Sequence, residues 1–190
     1  MNFNLTDEQK LIQQTAHEFA EKNIEPIAFK IDRENEIPHE ILTGLGELGI
    51  LGLCYPEIYG GSGAGFLAFV LANEQVAKAS SGVGMVCSVN NLGLAAIFNR
   101  GTEEQKKKWM PACCSGTHLA SFAFTEPNTG SDPKMLATKV NKKGDKYILN
   151  GCKRFISLAD YKGPMVVFAA DEEAGNPSAF IVDKFCPGYP

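Results

Sequence analysis

The spacing of apolar residues changes character once, near residue 115, and that change limits the possible folds more than any other feature of the sequence. Before it, apolar residues recur at helical intervals. Thr6-Asp7-Glu8-Gln9 forms a capping box, in which the Thr6 hydroxyl and the Gln9 side chain satisfy amides that a helix start leaves open. Leu11, Ile12, Ala16, Phe19 and Ala20 follow as an apolar stripe. Pro26 restarts or kinks this helix. Pro38 opens the next, where Ile41, Leu42, Leu45 and Leu48 face one way and Gly49 is the stop. Ala-rich apolar segments at 66–80 and 83–99 extend the pattern, and Thr102-Glu103-Glu104-Gln105 repeats the capping box ahead of Trp109 and Met110.

From Leu119 onward the apolar residues come in short runs rich in aromatic and β-branched types. Strands are predicted at 121–125, 147–149, 154–157, 166–169 and 180–182, with turn signals at Asn128-Thr129-Gly130, Lys143-Gly144-Asp145 and Asn150-Gly151 between them. The expected fold is therefore α+β: an all-helical N-terminal domain, residues 1–115, followed by an antiparallel β-barrel-like domain, residues 116–190. The boundary at 113–117 is short and made of small residues, so the two should pack closely. Pro187-Gly188-Tyr189-Pro190 is turn chemistry directly after a strand, and the β domain is expected to be incomplete.

Composition removes several function classes. A formal net charge of −4, with Lys106-Lys107-Lys108 as the single basic run on a helix face, argues against a nucleic-acid partner. Six cysteines form no CxxC pair and show no zinc spacing with His17, His39 or His118, so reduced thiols and no metal are expected. The N-terminus lacks a charged region followed by an apolar one, and no apolar stretch of the roughly 18 to 20 residues that a membrane span needs is evident. A soluble, cytoplasmic protein follows, in which the Asn4-Leu5-Thr6 sequon stays unglycosylated.

Gly44-Leu45-Gly46-Glu47-Leu48-Gly49 matches the dinucleotide string GxGxxG, but a fingerprint of that kind must follow a strand and open a helix. Here it lies within or at the end of a helix, and no dinucleotide is expected there. The Gly60-Gly61-Ser62-Gly63 loop turns the backbone or admits another chain segment. Ser88, Asn90 and Asn91 interrupt an apolar helix; they line an acyl tunnel or else cap a packing defect.

The most informative stretch is Phe122-Ala123-Phe124-Thr125-Glu126-Pro127-Asn128-Thr129-Gly130-Ser131-Asp132, a strand running into a loop of hydroxyls, a glycine and acids. It resembles the signature of the acyl-CoA dehydrogenase family. Tyr55-Pro56 to Gly63, Gly101 to Lys106, and Tyr147 to Ser157, ending Asn150-Gly151-Cys152-Lys153-Arg154-Phe155-Ile156-Ser157, are similar to further family segments in the same order. The resemblance implies FAD as cofactor and an acyl-CoA thioester as substrate, oxidised to the 2-enoyl-CoA in fatty acid metabolism. It implies that the backbone from Phe122 to Phe124 and the Thr125 hydroxyl bind the pyrimidine side of the flavin, and that Gly130 and Ser131 approach the pyrophosphate. Phe155, beside Ile156, would stand for the aromatic that packs on the ring, and Ser157 for the hydroxyl near N5. Ser88, Asn91 and Ser131 are the implied substrate contacts.

Electron-transfer flavoprotein and a homo-oligomer are the implied partners. Glu126 is implied to shape its loop. The catalytic base is expected in a C-terminal helical domain, which these residues do not include, so the 190-residue chain alone is expected to be inactive. The alternative is a catalytically silent flavin- or CoA-binding module, or a structural one without flavin, produced by truncation. Two departures from the family pattern fall close to the flavin: Leu158-Ala159 stands where Asn-Gly is usual, and Met135 where a small residue is.

Overall fold

The computed structural model describes residues 4–132, 135–171 and 175–189. Residues 1–3, 133–134, 172–174 and 190 lie outside the described residues, among them Pro133 before Met135 and the closing Pro190. Helix α1 (Asp7–Phe19) begins with the reciprocal Thr6–Gln9 capping box. Ala16 and Ala20 are buried, whereas Leu11 is 66% exposed. It precedes Ile12 by one residue and so points about 100° away from the Ile12–Ala16–Phe19 line. Pro26 has no N–H to continue the helical ladder and its ring crowds the preceding turn. The chain accordingly widens into a π turn at Ala20–Ile24, tightens into a 3-10 turn at Glu25–Ile27, and resumes as α2 (Ala28–Glu34).

Helix α3 (His39–Glu47) starts after Pro38 and stops at Gly49, whose φ of 72° is left-handed. Ile41, Leu42 and Leu45 are buried, and Leu48 is half exposed at the helix end. The GxGxxG string sits in this helix for steric reasons. A Cβ on Gly46 would stand 2.1 Å from the Ser115 carbonyl oxygen, and one on Gly44 would meet the Phe19 ring. The glycine loop after Tyr55 works in the same way, since a Cβ on Gly61 would lie 2.0 Å from the Tyr55 carbonyl oxygen.

Helices α4 (Phe66–Ala79), α5 (Ser81–Arg100) and α6 (Glu103–Cys114) complete the helical half, and α6 opens on the second capping box, Thr102 with Gln105. The absence of any span-length apolar stretch needs correction. Helix α5 has 20 residues and is apolar enough, by length and composition, to cross a membrane. Its apolarity has a local cause: Val83, Val86, Leu94 and Ile97 are buried where α5 packs between α4, α6 and the sheet. Asn90, 0% exposed, donates from Nδ2 to the Cys113 carbonyl at 3.2 Å and accepts the Ala120 amide at 2.8 Å, which ties α5 to the passage between the two halves.

The second half is a five-stranded sheet: β1 (Ser121–Ala123), β2 (Lys139–Lys143), β3 (Lys146–Asn150), β4 (Pro164–Asp171) and β5 (Asn176–Asp183). The β2–β3 and β4–β5 pairs are antiparallel, as expected, but β1 and β2 both run parallel to β4, so the sheet is mixed and does not close. The predicted strand at 154–157 is not one; β3 ends at Asn150 and an irregular loop follows.

Alternation assigns the two faces of the sheet. Phe122, Val166, Phe168 and Ile181 pack onto Leu94, Ile97, Trp109 and Met110 of the helices. Ala123, Met165 and Val167 face the other way, with Val182 and Tyr189 against them.

Three of the six cysteines, Cys87, Cys113 and Cys114, are buried in the apolar clusters, and burial pushes each thiol up to about 12. Cys54 and Cys186 are half-buried and Cys152 is exposed; none of the six is in a disulfide.

Candidate functional site

Strand β1 is short because the chain leaves the sheet after Ala123 to form a turn. The Glu126 amide donates to the Thr129 carbonyl at 2.9 Å and the Thr129 amide donates back at 3.2 Å, closing Glu126-Pro127-Asn128-Thr129. The Thr129 hydroxyl donates to the Met135 carbonyl and holds the far side of the loop.

Glu126, only 4% exposed, lies beneath this turn. Its carboxylate accepts the amides of Ala137 at 2.6 Å and Thr138 at 3.0 Å, and Lys153 Nζ stands 2.8 Å away. Burial alone would raise the carboxyl. Hydrogen bonds from Lys153, Thr138 and the Ala137 amide outweigh it and hold the pKa at about 2. A carboxylate so engaged shapes a loop and is unsuited to taking a proton from a substrate.

Lys153 joins the two predicted flavin segments. Its Nζ also donates to the Phe124 carbonyl at 3.0 Å, and the next amide, of Arg154, donates to the Thr125 carbonyl at 2.9 Å. Residues 124–126 and 153–154 are thereby held side by side although 27 residues separate Glu126 from Lys153. Phe124 packs edge-on against Phe168, and Phe122 lies in the core between sheet and helices.

Phe155 was expected on a strand and is instead 79% exposed in the loop, at a left-handed φ of 59°. The Arg154 guanidinium stands 4.6 Å from the centre of its ring. Ile156 turns the other way, into the apolar cluster of Ala123, Met165 and Val167. Ser157 is exposed, and Leu158 is again left-handed, with φ 63°. Left-handed backbone at a non-glycine residue costs on the order of 1 to 3 kcal/mol and persists only where surroundings enforce it. For Leu158 part of the enforcement is packing, because its side chain is buried with Leu42, Val86 and Leu119 between the two halves. The replacement of the usual Asn-Gly thus has a structural use: it anchors the loop to the helical domain.

Gly130 and Ser131 are exposed. Gly130 has no left-handed φ, and among the described residues a Cβ there would meet nothing within 4 Å. Among the described residues the hydroxyls of Thr125, Ser131 and Ser157 have no hydrogen-bond partner. Three open hydroxyls, an exposed aromatic ring and a glycine with free space suit a planar, hydrogen-bonding ligand such as a flavin.

The implied substrate contacts on α5 are engaged elsewhere. Ser88 donates to the Gly84 carbonyl and accepts from Asn73 at 2.9 Å, while Asn91 accepts the Tyr55 hydroxyl at 2.7 Å. These bonds tie α5 to α4 and to the Tyr55 segment. A cavity of about 820 Å³ opens on the opposite sheet face, among Leu149, Cys152, Met165, Val182 and Tyr189, and of the candidate residues only Ile156 lines it.

Sequence reasoning missed Lys184. It is 0% exposed, and its Nζ donates to the carbonyls of Leu119 (2.9 Å) and Leu158 (2.6 Å) and to the Ser121 hydroxyl (2.8 Å). Burial lowers its pKa to about 8, against the opposing pull of Cys113 and Asp160.

Residues 6–117 match the family model for the acyl-CoA dehydrogenase N-terminal domain, and residues 121–189 match that for the middle domain. The chain belongs to the acyl-CoA dehydrogenase family. An acyl-CoA dehydrogenase of Bacillus subtilis is 38% identical over 98% of this chain and 50% of its own length. Among solved structures, one described as the electron transferring flavoprotein of Acidaminococcus fermentans superposes with a TM-score of 0.93 at 41% identity, covering 99% of this chain and 50% of the other. A glutaryl-CoA dehydrogenase from Mycobacterium smegmatis in complex with FADH2 gives 0.91 at 28% identity, covering 97% and 47%. The chain spans about half the length of the relatives it matches.

Proposed function

We propose that these residues form the flavin face of an oxidoreductase that converts an acyl-CoA thioester to the 2-enoyl-CoA, with FAD as cofactor. One observation carries the reading. Segments 124–131 and 153–158 are joined by the Lys153–Phe124 and Arg154–Thr125 hydrogen bonds, and between them they display Phe155, Gly130 and three hydroxyls with no hydrogen-bond partner among the described residues. When bound, FAD supplies a two-electron acceptor for the hydride that leaves the β-carbon. The hydroxyls of Thr125, Ser131 and Ser157 would hold it, the Phe155 ring would cover an aromatic face and exclude water, and Gly130 would let the backbone approach. Donors of this kind favour the reduced, electron-rich ring, because they are in place before charge develops.

Glu126 is not the base, since its oxygens are taken by Lys153 and two amides. The α-proton is assigned to a carboxylate supplied elsewhere in the whole protein. The A. fermentans match supports electron-transfer flavoprotein as the acceptor. Exposed Phe66, Leu67, Val70, Met85 and Leu92 on α4 and α5 support burial of this side against another helical segment or subunit.

Dye-coupled oxidation of short-chain acyl-CoAs tests the reading. These 190 residues alone should turn over nothing, and joining them to the C-terminal half of the B. subtilis relative should restore turnover. In the joined protein Ser157→Ala should slow flavin reduction by about tenfold or more, set against the ~10²–10³ lost with an oxyanion-type donor. Turnover by the 190 residues alone, or an unchanged reduction rate in the variant, contradicts the assignment.

A further inference from the structure

Two lysines, Lys184 buried and Lys153 part-buried, hold opposite ends of one loop. Lys153, at its start, binds the Phe124 carbonyl and the Glu126 carboxylate. Lys184, beyond β5, binds the Leu158 carbonyl at the loop's end, together with the Leu119 carbonyl and the Ser121 hydroxyl. Between the two points lie both left-handed residues of the loop, Phe155 and Leu158. We propose that Lys153 and Lys184 are positioning residues, which brace residues 154–158 against both ends of segment 119–126 and so hold Phe155 and Ser157 facing outward for the flavin.

The inference deepens the flavin reading and rests on it. Its physical basis is that a buried ammonium group needs its hydrogen-bond acceptors, and among the described residues no carboxylate stands within ion-pair distance of Lys184. Its three acceptors belong to the chain on either side: Leu119 and Ser121 lead into β1, and Leu158 closes the loop. Keeping the charge satisfied therefore fixes the distance between them. A hydrophobic residue at 184 would fill the space without imposing that distance. At the other end, Lys153 fixes the loop to the segment that carries Phe124 and Thr125. A loop whose left-handed residues expose a large aromatic ring gains little for the fold from that ring, and strain of this kind gathers where a ligand is met.

The test uses Lys184→Met, which leaves no charge behind, and the double variant Glu126→Gln with Lys153→Met, which removes both partners of the other pair. Two quantities are read on the joined protein, these 190 residues with the C-terminal half of the B. subtilis relative, at a temperature where the α5 amides remain protected. The first is hydrogen exchange at the Arg154 amide, bonded to Thr125, and at the Tyr161 amide, bonded to Leu158. The second is the dissociation constant for FAD, followed by flavin fluorescence up to millimolar FAD. Faster exchange at Arg154 in the double variant and at Tyr161 in Lys184→Met, with FAD bound about tenfold to a hundredfold more weakly, is the expected result.

Unchanged exchange overturns the brace whatever FAD does. Faster exchange with unchanged FAD affinity overturns the positioning role and leaves the flavin reading standing. If the unaltered joined protein takes up no FAD, the flavin reading falls and the proposed purpose of the brace falls with it.

Discussion

Glu126→Gln should cost about 3 kcal/mol of folding stability at neutral pH, the expectation for a buried ion pair that loses one partner. The carboxylate oxygens accept from Lys153 and from two amides, and the Lys153 side chain is 11% exposed. An amide at 126 leaves the ammonium without its counter-charge and turns an N–H2 group towards donors. The pH dependence gives an independent reading of the same quantity. Glu126 titrates at about 2 in the folded chain and at 4.5 when unperturbed, so between those values the unfolded chain binds more protons. Its contribution is therefore complete above pH 4.5 and is lost as pH falls towards 2, about 3 kcal/mol in all. Urea unfolding followed by Trp109 fluorescence from pH 7 to pH 2.5 should show that acid limb in the native sequence and a shallower one in the variant. Equal limbs would mean that the carboxylate is not held as described.

Gly130→Val should have the opposite profile, leaving stability nearly untouched and removing most of the flavin affinity. The described residues do not require this glycine, because its φ is not left-handed and among them a Cβ would meet nothing within 4 Å. A branched side chain there occupies space assigned to the ligand. Overpacking of a filled site costs about 1 to 3 kcal/mol, which is roughly a tenfold to hundredfold loss in affinity. The contrast is with Gly46, where the same kind of substitution would drive a Cβ into the Ser115 carbonyl and disturb folding with no bearing on a ligand. Unfolding midpoints and FAD titration of Gly130→Val separate the two cases, and a variant that binds FAD normally would remove the 130–131 loop from the site.

The helical half was legible because its signals are local. Both capping boxes, the proline that disrupts the first helix and the glycine that ends α3 act within a few residues of where they stand. The strands were legible as faces but less so as neighbours. Alternation says which side Val166 and Val167 present, and says nothing about β1 and β2 running parallel to β4.

The loop after β3 was misread as a strand because Arg154-Phe155-Ile156-Ser157 has strand composition, while the left-handed turns at Phe155 and Leu158 carry no local signature such as glycine or asparagine. Leu158 burial and Lys184, distant in sequence, hold that conformation. Lys184 itself was invisible, since a lysine after a strand and before Phe185-Cys186 looks like an ordinary surface residue. The juxtaposition of Phe124 and Lys153 was legible only through the family resemblance, because nothing local in either segment says that they meet.

The central claim is that segments 124–131 and 153–158 together face the flavin, and amide chemical-shift mapping with FAD titrated into the protein tests it most directly. Saturable shifts should concentrate at Phe124, Thr125, Gly130, Ser131 and residues 154–158. Shifts confined to the cavity on the other sheet face, at Leu149, Met165, Val182 and Tyr189, would contradict it.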